Sequence, residues 1–113
     1  MTYSDFKKEV DAACKKFSYI KGFKILRDMP PYLKIRLEIE QNDYVDVVYN
    51  ADTGSTSYTY ISHGKRLFGA NTARIGWHIH PYENEKTHKL TKPVSLEMFL
   101  KELELELKKR GKL

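Results

Sequence analysis

A regular alternation of apolar and charged residues between Leu33 and Glu40 constrains the fold of this chain more than any other feature. Leucine or isoleucine occupies every second position, and lysine, arginine or glutamate occupies each position between them. Because successive side chains of a β-strand point to opposite faces, this pattern predicts a strand with one buried face and one charged, wet face.

Four further segments with strand composition follow this one, separated by turn sequences such as Asp52-Thr53-Gly54 and His63-Gly64. Phe23, Ile25 and Leu26 are compatible with another short strand, which we do not count. Short strands at regular spacing predict an antiparallel meander. The five predicted strands span about residues 32–40, 43–50, 55–62, 65–70 and 74–80.

Amphipathic helices are predicted at both ends of the chain, over about residues 4–18 and 95–110. In each segment apolar residues recur three or four positions apart, which lines one face of a helix. These residues are Phe6, Val10, Ala13 and Phe17 in the first helix, and Leu96, Phe99, Leu100, Leu103 and Leu107 in the second. The order helix, meander, helix predicts an α+β fold with both helices packed on one face of a curled sheet.

The length of 113 residues fits a single domain spanning residues 1–113. No apolar run reaches the ~20 residues that a membrane helix needs, and the first ten residues lack a signal sequence, so we expect a cytoplasmic protein. The single cysteine, Cys14, cannot form an internal disulfide, and its place on the first predicted helix indicates a packing role. The sequence contains no Gly-x4-Gly-Lys-Ser/Thr motif, so a P-loop nucleotide-binding site is excluded.

The net charge of +5 indicates an acidic partner, for which RNA is our first candidate. Residues 1–31 carry seven basic and four acidic side chains and so hold +3 of this excess. We therefore predict that Lys7, Lys8, Lys15 and Lys16 bind nucleic acid. The alternative is a solvated lysine-rich surface, which is also typical of proteins from heat-adapted organisms.

The segment from Arg74 to Pro81 is the strongest candidate for a functional site. On a strand, Ile75, Trp77 and Ile79 point to the core, so that Arg74, Gly76, His78 and His80 share the wet face. The two imidazoles then lie about 7 Å apart along the strand. A glycine among these side chains leaves room for a ligand to approach the backbone.

Three hypotheses explain this face. In the first, the protein is a ribonuclease-like enzyme in which Arg74 binds phosphate while His78 and His80 act as acid and base. In the second, His78, His80 and His88 bind zinc or another divalent metal. In the third, the histidines are solvated or pair with neighbouring side chains, and no cofactor is needed.

Two other features point to binding. Tyr58 and Tyr60 share one face of their strand, and stacked aromatic residues beside lysine and arginine are typical of single-stranded nucleic-acid interfaces. The alternative is that tyrosine is simply a favourable strand residue. A non-catalytic module that binds a protein partner, or a second copy of itself, is a further hypothesis. It rests on the free edge of the meander and on Leu105, which lies off the apolar stripe of the second helix.

The arrangement from Tyr32 to Leu107 resembles that of the TumE-like toxins of toxin–antitoxin pairs. The shared features are the early alternating strands, a tyrosine-rich hairpin, the His78-Ile79-His80-Pro81 segment, and the stretch Pro93–Leu100 at the last helix. Members often carry Asp-Asn and two adjacent histidines before the histidine-rich segment, whereas this chain has Gly69-Ala70-Asn71. The resemblance implies a nucleic-acid-directed toxin, an antitoxin-like partner, and roles for His78, His80 and His88.

Overall fold

The computed structural model describes residues 2–73, 76–84, 86–87 and 89–113. These residues form two helices and seven strands. In chain order the elements are α1 (Tyr3–Lys16), β1 (Gly22–Met29), β2 (Tyr32–Glu40), β3 (Asp43–Asn50), β4 (Thr56–Ser62), β5 (Lys65–Ala73), β6 (Gly76–His80), β7 (Lys89–Leu90) and α2 (Leu96–Lys109). Neither helix in this part of the chain is long and apolar enough to span a membrane.

The strands form one antiparallel sheet in which each strand pairs with its neighbours in sequence. The predicted α+β meander with a helix at each end is confirmed, with seven strands in the described residues where we expected five. The two additional strands are β1 and β7. Their sequences lack a clear alternation, because β1 is exposed on both sides and β7 has only two residues.

Both helices begin at side-chain caps. Thr2 and Asp5 form a capping box at the start of α1, and the Ser95 hydroxyl accepts a hydrogen bond from the amide of Met98 at the start of α2. These caps satisfy amide groups that have no partner within the helix, and each contributes about 1 kcal/mol. They also explain why the helices begin within one residue of the predicted positions.

The helices pack on the same face of the sheet, which we call the helix face. Phe6 of α1 stacks on Tyr49 of β3 at 4.4 Å between ring centres, and Phe99 of α2 contacts the ring of Tyr58 on β4 at 5.3 Å. The alternation of β2 places its apolar side chains beneath these helices. Each of these buried side chains contributes about 2 kcal/mol relative to exposure: Leu33, Ile35, Leu37 and Ile39.

The opposite side of the sheet, which we call the open face, carries the alternate side chains. Strand register arranges them in rows that run across the sheet. One row contains Lys34, Val48, Ser57, Asn71 and His78, and the next contains Arg36, Asp46, Thr59, Gly69 and His80. The histidines of β6 therefore share a face with the charged side chains of β2.

Candidate nucleic-acid interface

His80 lies directly across the sheet from Gly69, and this pairing shapes the open face. A Cβ atom built on Gly69 would lie 3.8 Å from the Cδ2 atom of the imidazole and 3.2 Å from the carbonyl oxygen of Tyr58. The ring of His80 therefore packs over the bare backbone of β5. Gly76, which we expected to open this face, begins β6 with a φ of 121°, a conformation that favours glycine. Beyond its chain neighbours, no atom of the described residues lies within 4 Å of its Cβ position.

His78 occupies the neighbouring row, opposite Asn71, but it is only 7% exposed. Trp77 and Ile79 pack against the core, as the alternation of this strand predicts. The two histidines thus lie on one face with different accessibility. His80 is half-buried and lines a groove, so it is the imidazole that a bound molecule can reach.

Two residues of the sequence-based site, Arg74 and His88, lie outside the described residues. The phosphate-binding role predicted for Arg74 and the third metal ligand predicted at His88 remain predictions. Among the residues that the structure describes, no group of three histidine, cysteine or acidic side chains is placed to hold a metal ion.

The groove beside His80 has a volume of about 390 Å³ and lies on the open face of the sheet. Its floor is formed by the middle of β3, β4 and β5, where the small residues Ser57, Thr59 and Gly69 leave a depression in the open face. Polar and apolar residues contribute about equally to its lining. The polar residues that line it are Lys34, Asp46, Ser57, Thr59, Arg66, Asn71 and His80.

Four cations lie together at the β1–β2 end of the open face, and we call them the cationic band. Lys24 lies directly opposite Arg36, and Arg27 lies directly opposite Lys34. Like charges in opposite positions repel, so this arrangement costs free energy unless an anion compensates it. The repulsion within the cationic band therefore lowers the stability of the β1–β2 pairing, and a bound anion would reduce that repulsion.

Two carboxylates partly compensate the cationic band. Asp46 accepts two hydrogen bonds from Arg36, at 2.9 Å and 3.2 Å, and lies 3.9 Å from the ammonium of Lys34. The hydrogen bond to Asp46 raises the pKa of Arg36, although burial acts in the other direction. Glu38 lies 3.7 Å from Lys24. Four positive charges against two negative charges leave this end of the face positive.

Aromatic rings accompany two of these arginines. The guanidinium of Arg27 lies 4.6 Å from the ring centre of Tyr32, and that of Arg36 lies 3.9 Å from the ring centre of Tyr44. Both tyrosines alternate with buried residues and so belong to the open face. Planar guanidinium and phenol groups are surfaces on which nucleic-acid bases stack.

The two tyrosines predicted to bind nucleic acid lie elsewhere. Tyr58 and Tyr60 are 2% and 0% exposed and lie on the helix face, so their rings cannot stack on bases in the folded protein. Tyr58 donates a hydrogen bond to the carbonyl of Val94 at 3.0 Å. The prediction of a tyrosine platform at these positions is wrong, because register places this side of β4 beneath α2.

The lysines of α1 are also separated from the histidines, because α1 covers the helix face. Lys7 pairs with Asp28 at 2.6 Å, Lys15 pairs with Asp11 at 3.0 Å, and Lys16 pairs with Glu97. Lys8 is exposed on the same helix. That these four lysines bind nucleic acid stays a prediction, but the cations that share a face with His80 come from the strands.

The sequence contained a signal for part of this interface. The alternation that buries Leu33 and Ile35 also places Lys34 and Arg36 on the open face. In β3, Tyr44 precedes the buried Val45 and so lies on the open face as well. The roles of Gly69 and Arg66 depend on the register between strands, which no local pattern specifies. Comparison of the chain with protein-family models, curated proteins and solved structures gives no significant match.

Proposed function

We propose that the open face of the sheet binds single-stranded RNA. The observation that supports this proposal most directly is the cationic band, in which like charges face each other across β1 and β2. A phosphate backbone laid over this band would relieve the repulsion and release counterions. Arg66, at the far side of the groove, extends the positive surface toward His80.

Stacking supports a single strand as the ligand. Tyr32 and Tyr44 each present a ring beside an arginine, and unpaired bases can insert against such surfaces. The groove that runs from Lys34 to His80 on the same face is lined by hydroxyl and amide groups that can hydrogen bond to ribose and base edges. A duplex would hide its bases from these groups.

His80 is the group that we propose for acid–base chemistry on the bound RNA. An imidazole can take up and release a proton near neutral pH, and this one lines the groove in which the phosphate chain would lie. His78 is buried next to it and is better placed to support the strand than to touch RNA. The resemblance to TumE-like toxins points to the same class of target and to an antitoxin-like partner.

Charge-reversal variants test RNA binding with a matched control. Lys34→Glu/Arg66→Glu alters the open face, whereas Lys8→Glu/Lys15→Glu alters α1 by the same amount of charge. We expect the first variant to lose at least about tenfold in affinity for a labelled single-stranded RNA, and the second to lose less than about threefold. Equal losses in both variants, or full affinity in the first, would contradict the proposal.

A second measurement separates binding from cleavage. His80→Ala should retain RNA affinity, since the imidazole supplies little of the attraction to phosphate. If the wild-type protein cleaves the RNA and His80→Ala does not, His80 has the acid–base role. A wild-type protein that binds without cleaving leaves RNA binding as the function and removes the catalytic role.

A further inference from the structure

β1 forms one edge of the sheet and exposes large apolar side chains. Phe23, Ile25, Leu26 and Met29 are 42%, 48%, 45% and 63% exposed. Within the described part of the chain β1 pairs with β2 alone, so the backbone along its outer edge meets no further strand. A long apolar edge strand is a site at which another strand can add to the sheet.

The two sides of β1 differ in chemistry. Phe23 and Ile25 lie opposite buried residues of β2, so they extend the apolar helix face beyond the area that α1 covers. Lys24 and Arg27 lie on the other side, within the cationic band. A strand added to this edge would therefore meet apolar side chains on one face and positive charges on the other.

A second copy of β1 fits this edge poorly. Antiparallel pairing of all eight residues with a second β1 would place Lys24 opposite Arg27 twice, and like charges in opposite positions repel. The bulge that inserts Leu26 between Ile25 and Arg27 also interrupts the pairing line, a device that limits indiscriminate edge-to-edge association. The charge of the edge instead favours an acidic occupant.

We propose that the β1 edge binds an extended segment of another protein in which acidic and apolar residues alternate. Because side chains of a strand alternate between faces, the apolar residues of such a segment would contact Phe23 and Ile25. Its acidic residues would pair with Lys24 and Arg27. This site shares these two cations with the proposed RNA-binding surface, whereas its apolar contacts at Phe23 and Ile25 lie on the other side of the sheet.

A synthetic peptide of alternating glutamate and valine is the probe for this site. Two control peptides have the same length, one with lysine in place of glutamate and one with glutamates and valines in separate blocks. We expect the alternating acidic peptide to bind and to protect the β1 amides from hydrogen exchange. Both controls should bind at least about tenfold more weakly, since the first repels the edge and the second loses the matching alternation.

Variants on the two sides of β1 locate the peptide and separate it from RNA. Phe23→Thr/Ile25→Thr keeps good strand formers, and it should weaken peptide binding about tenfold with RNA binding retained. Lys24→Glu/Arg27→Glu should reverse the preference toward the lysine peptide. Leu90→Thr, on the opposite edge strand, is the control and should bind normally.

Equal binding of the acidic and basic peptides, or binding that leaves the β1 amides unprotected, would overturn the proposal. A concentration-dependent dimer of the free protein that protects these amides would show that a second copy is the occupant. Loss of RNA binding in Lys34→Glu/Arg66→Glu with peptide binding retained would show that the two proposals stand separately.

Discussion

Gly69 and His80 face each other on neighbouring strands, and their contact determines the local shape of the open face. The glycine leaves its Cβ space to the imidazole, which lies over the backbone of β5 at the edge of the groove. Sequence alone drew attention to His80 because of its alternation with Trp77 and Ile79. It could not identify Gly69, since the pairing of β5 with β6 is a long-range property.

Gly69→Val tests this contact. The new side chain would meet the carbonyl oxygen of Tyr58, 3.2 Å from the Cβ position, and would displace His80. We expect a loss of about 1–3 kcal/mol in the free energy of unfolding, measured by chemical denaturation. Gly22→Val is the control, because beyond its two chain neighbours no atom of the described residues lies within 4 Å of its Cβ position. A cost at Gly22 equal to that at Gly69 would contradict this explanation.

Cys14 gives a prediction about pH. Burial, with a smaller contribution from Asp11, raises the pKa of its thiol from 9.0 to about 11. Native Cys14 should therefore react with iodoacetamide roughly a hundredfold more slowly than in the urea-unfolded chain at pH 8. The unfolded thiol ionises first, so the associated contribution to stability is present below pH 9 and is lost as the pH rises to about 11. Equal alkylation rates in the two states would show that Cys14 is accessible.

At the scale of elements, alternation identified strands but did not always identify their buried side. In β2 the apolar and charged positions differ so strongly that the assignment is unambiguous. In β4, by contrast, tyrosine alternates with serine and threonine, and either side is compatible with water. Pairing with β3 resolves this, because Tyr58 lies opposite Val47 beneath the helices. The sequence of β1 carries no such alternation, because seven of its eight residues are exposed.

Two substitutions distinguish the tyrosines of the core from those of the open face. Tyr58→Phe removes the hydrogen bond to Val94 and should lower the free energy of unfolding by about 1 kcal/mol without changing RNA affinity. Tyr44→Ala removes a ring beside Arg36 and should weaken RNA binding by about 1 kcal/mol or more with little effect on stability. Denaturation and RNA titration of both variants provide the measurements. Weaker RNA binding in Tyr58→Phe would show that Tyr58 contributes to the RNA interface and would contradict this assignment.

For the whole molecule, the distribution of charge is more informative than the total of +5. The fold places the positive charges of the first 31 residues on both faces of the sheet. On α1, which covers the helix face, Lys7, Lys15 and Lys16 pair with carboxylates. Lys24 and Arg27 instead lie beside β2 on the open face. The sequence places +3 of the excess in the first 31 residues, but only the path of the chain shows which of these cations share a surface with His80.

The salt dependence of RNA binding follows from this division. The open face carries five cations, of which two are compensated by the carboxylates of Glu38 and Asp46, so a net charge of +3 is left to neutralise phosphates. The five cations are Lys24, Arg27, Lys34, Arg36 and Arg66. For a single strand, the logarithm of the affinity should then fall with the logarithm of salt concentration with a slope of about −2.

The same titration on the charge-reversal variants assigns the slope to a face. Lys8→Glu/Lys15→Glu should keep the slope of the wild-type protein, because α1 lies away from the bound strand. Lys34→Glu/Arg66→Glu should bring it toward zero, because it removes two of the cations and adds two anions on the open face. A slope that flattens instead in the α1 variant would place the RNA on the helix side and would remove His80 from any role in contacting it.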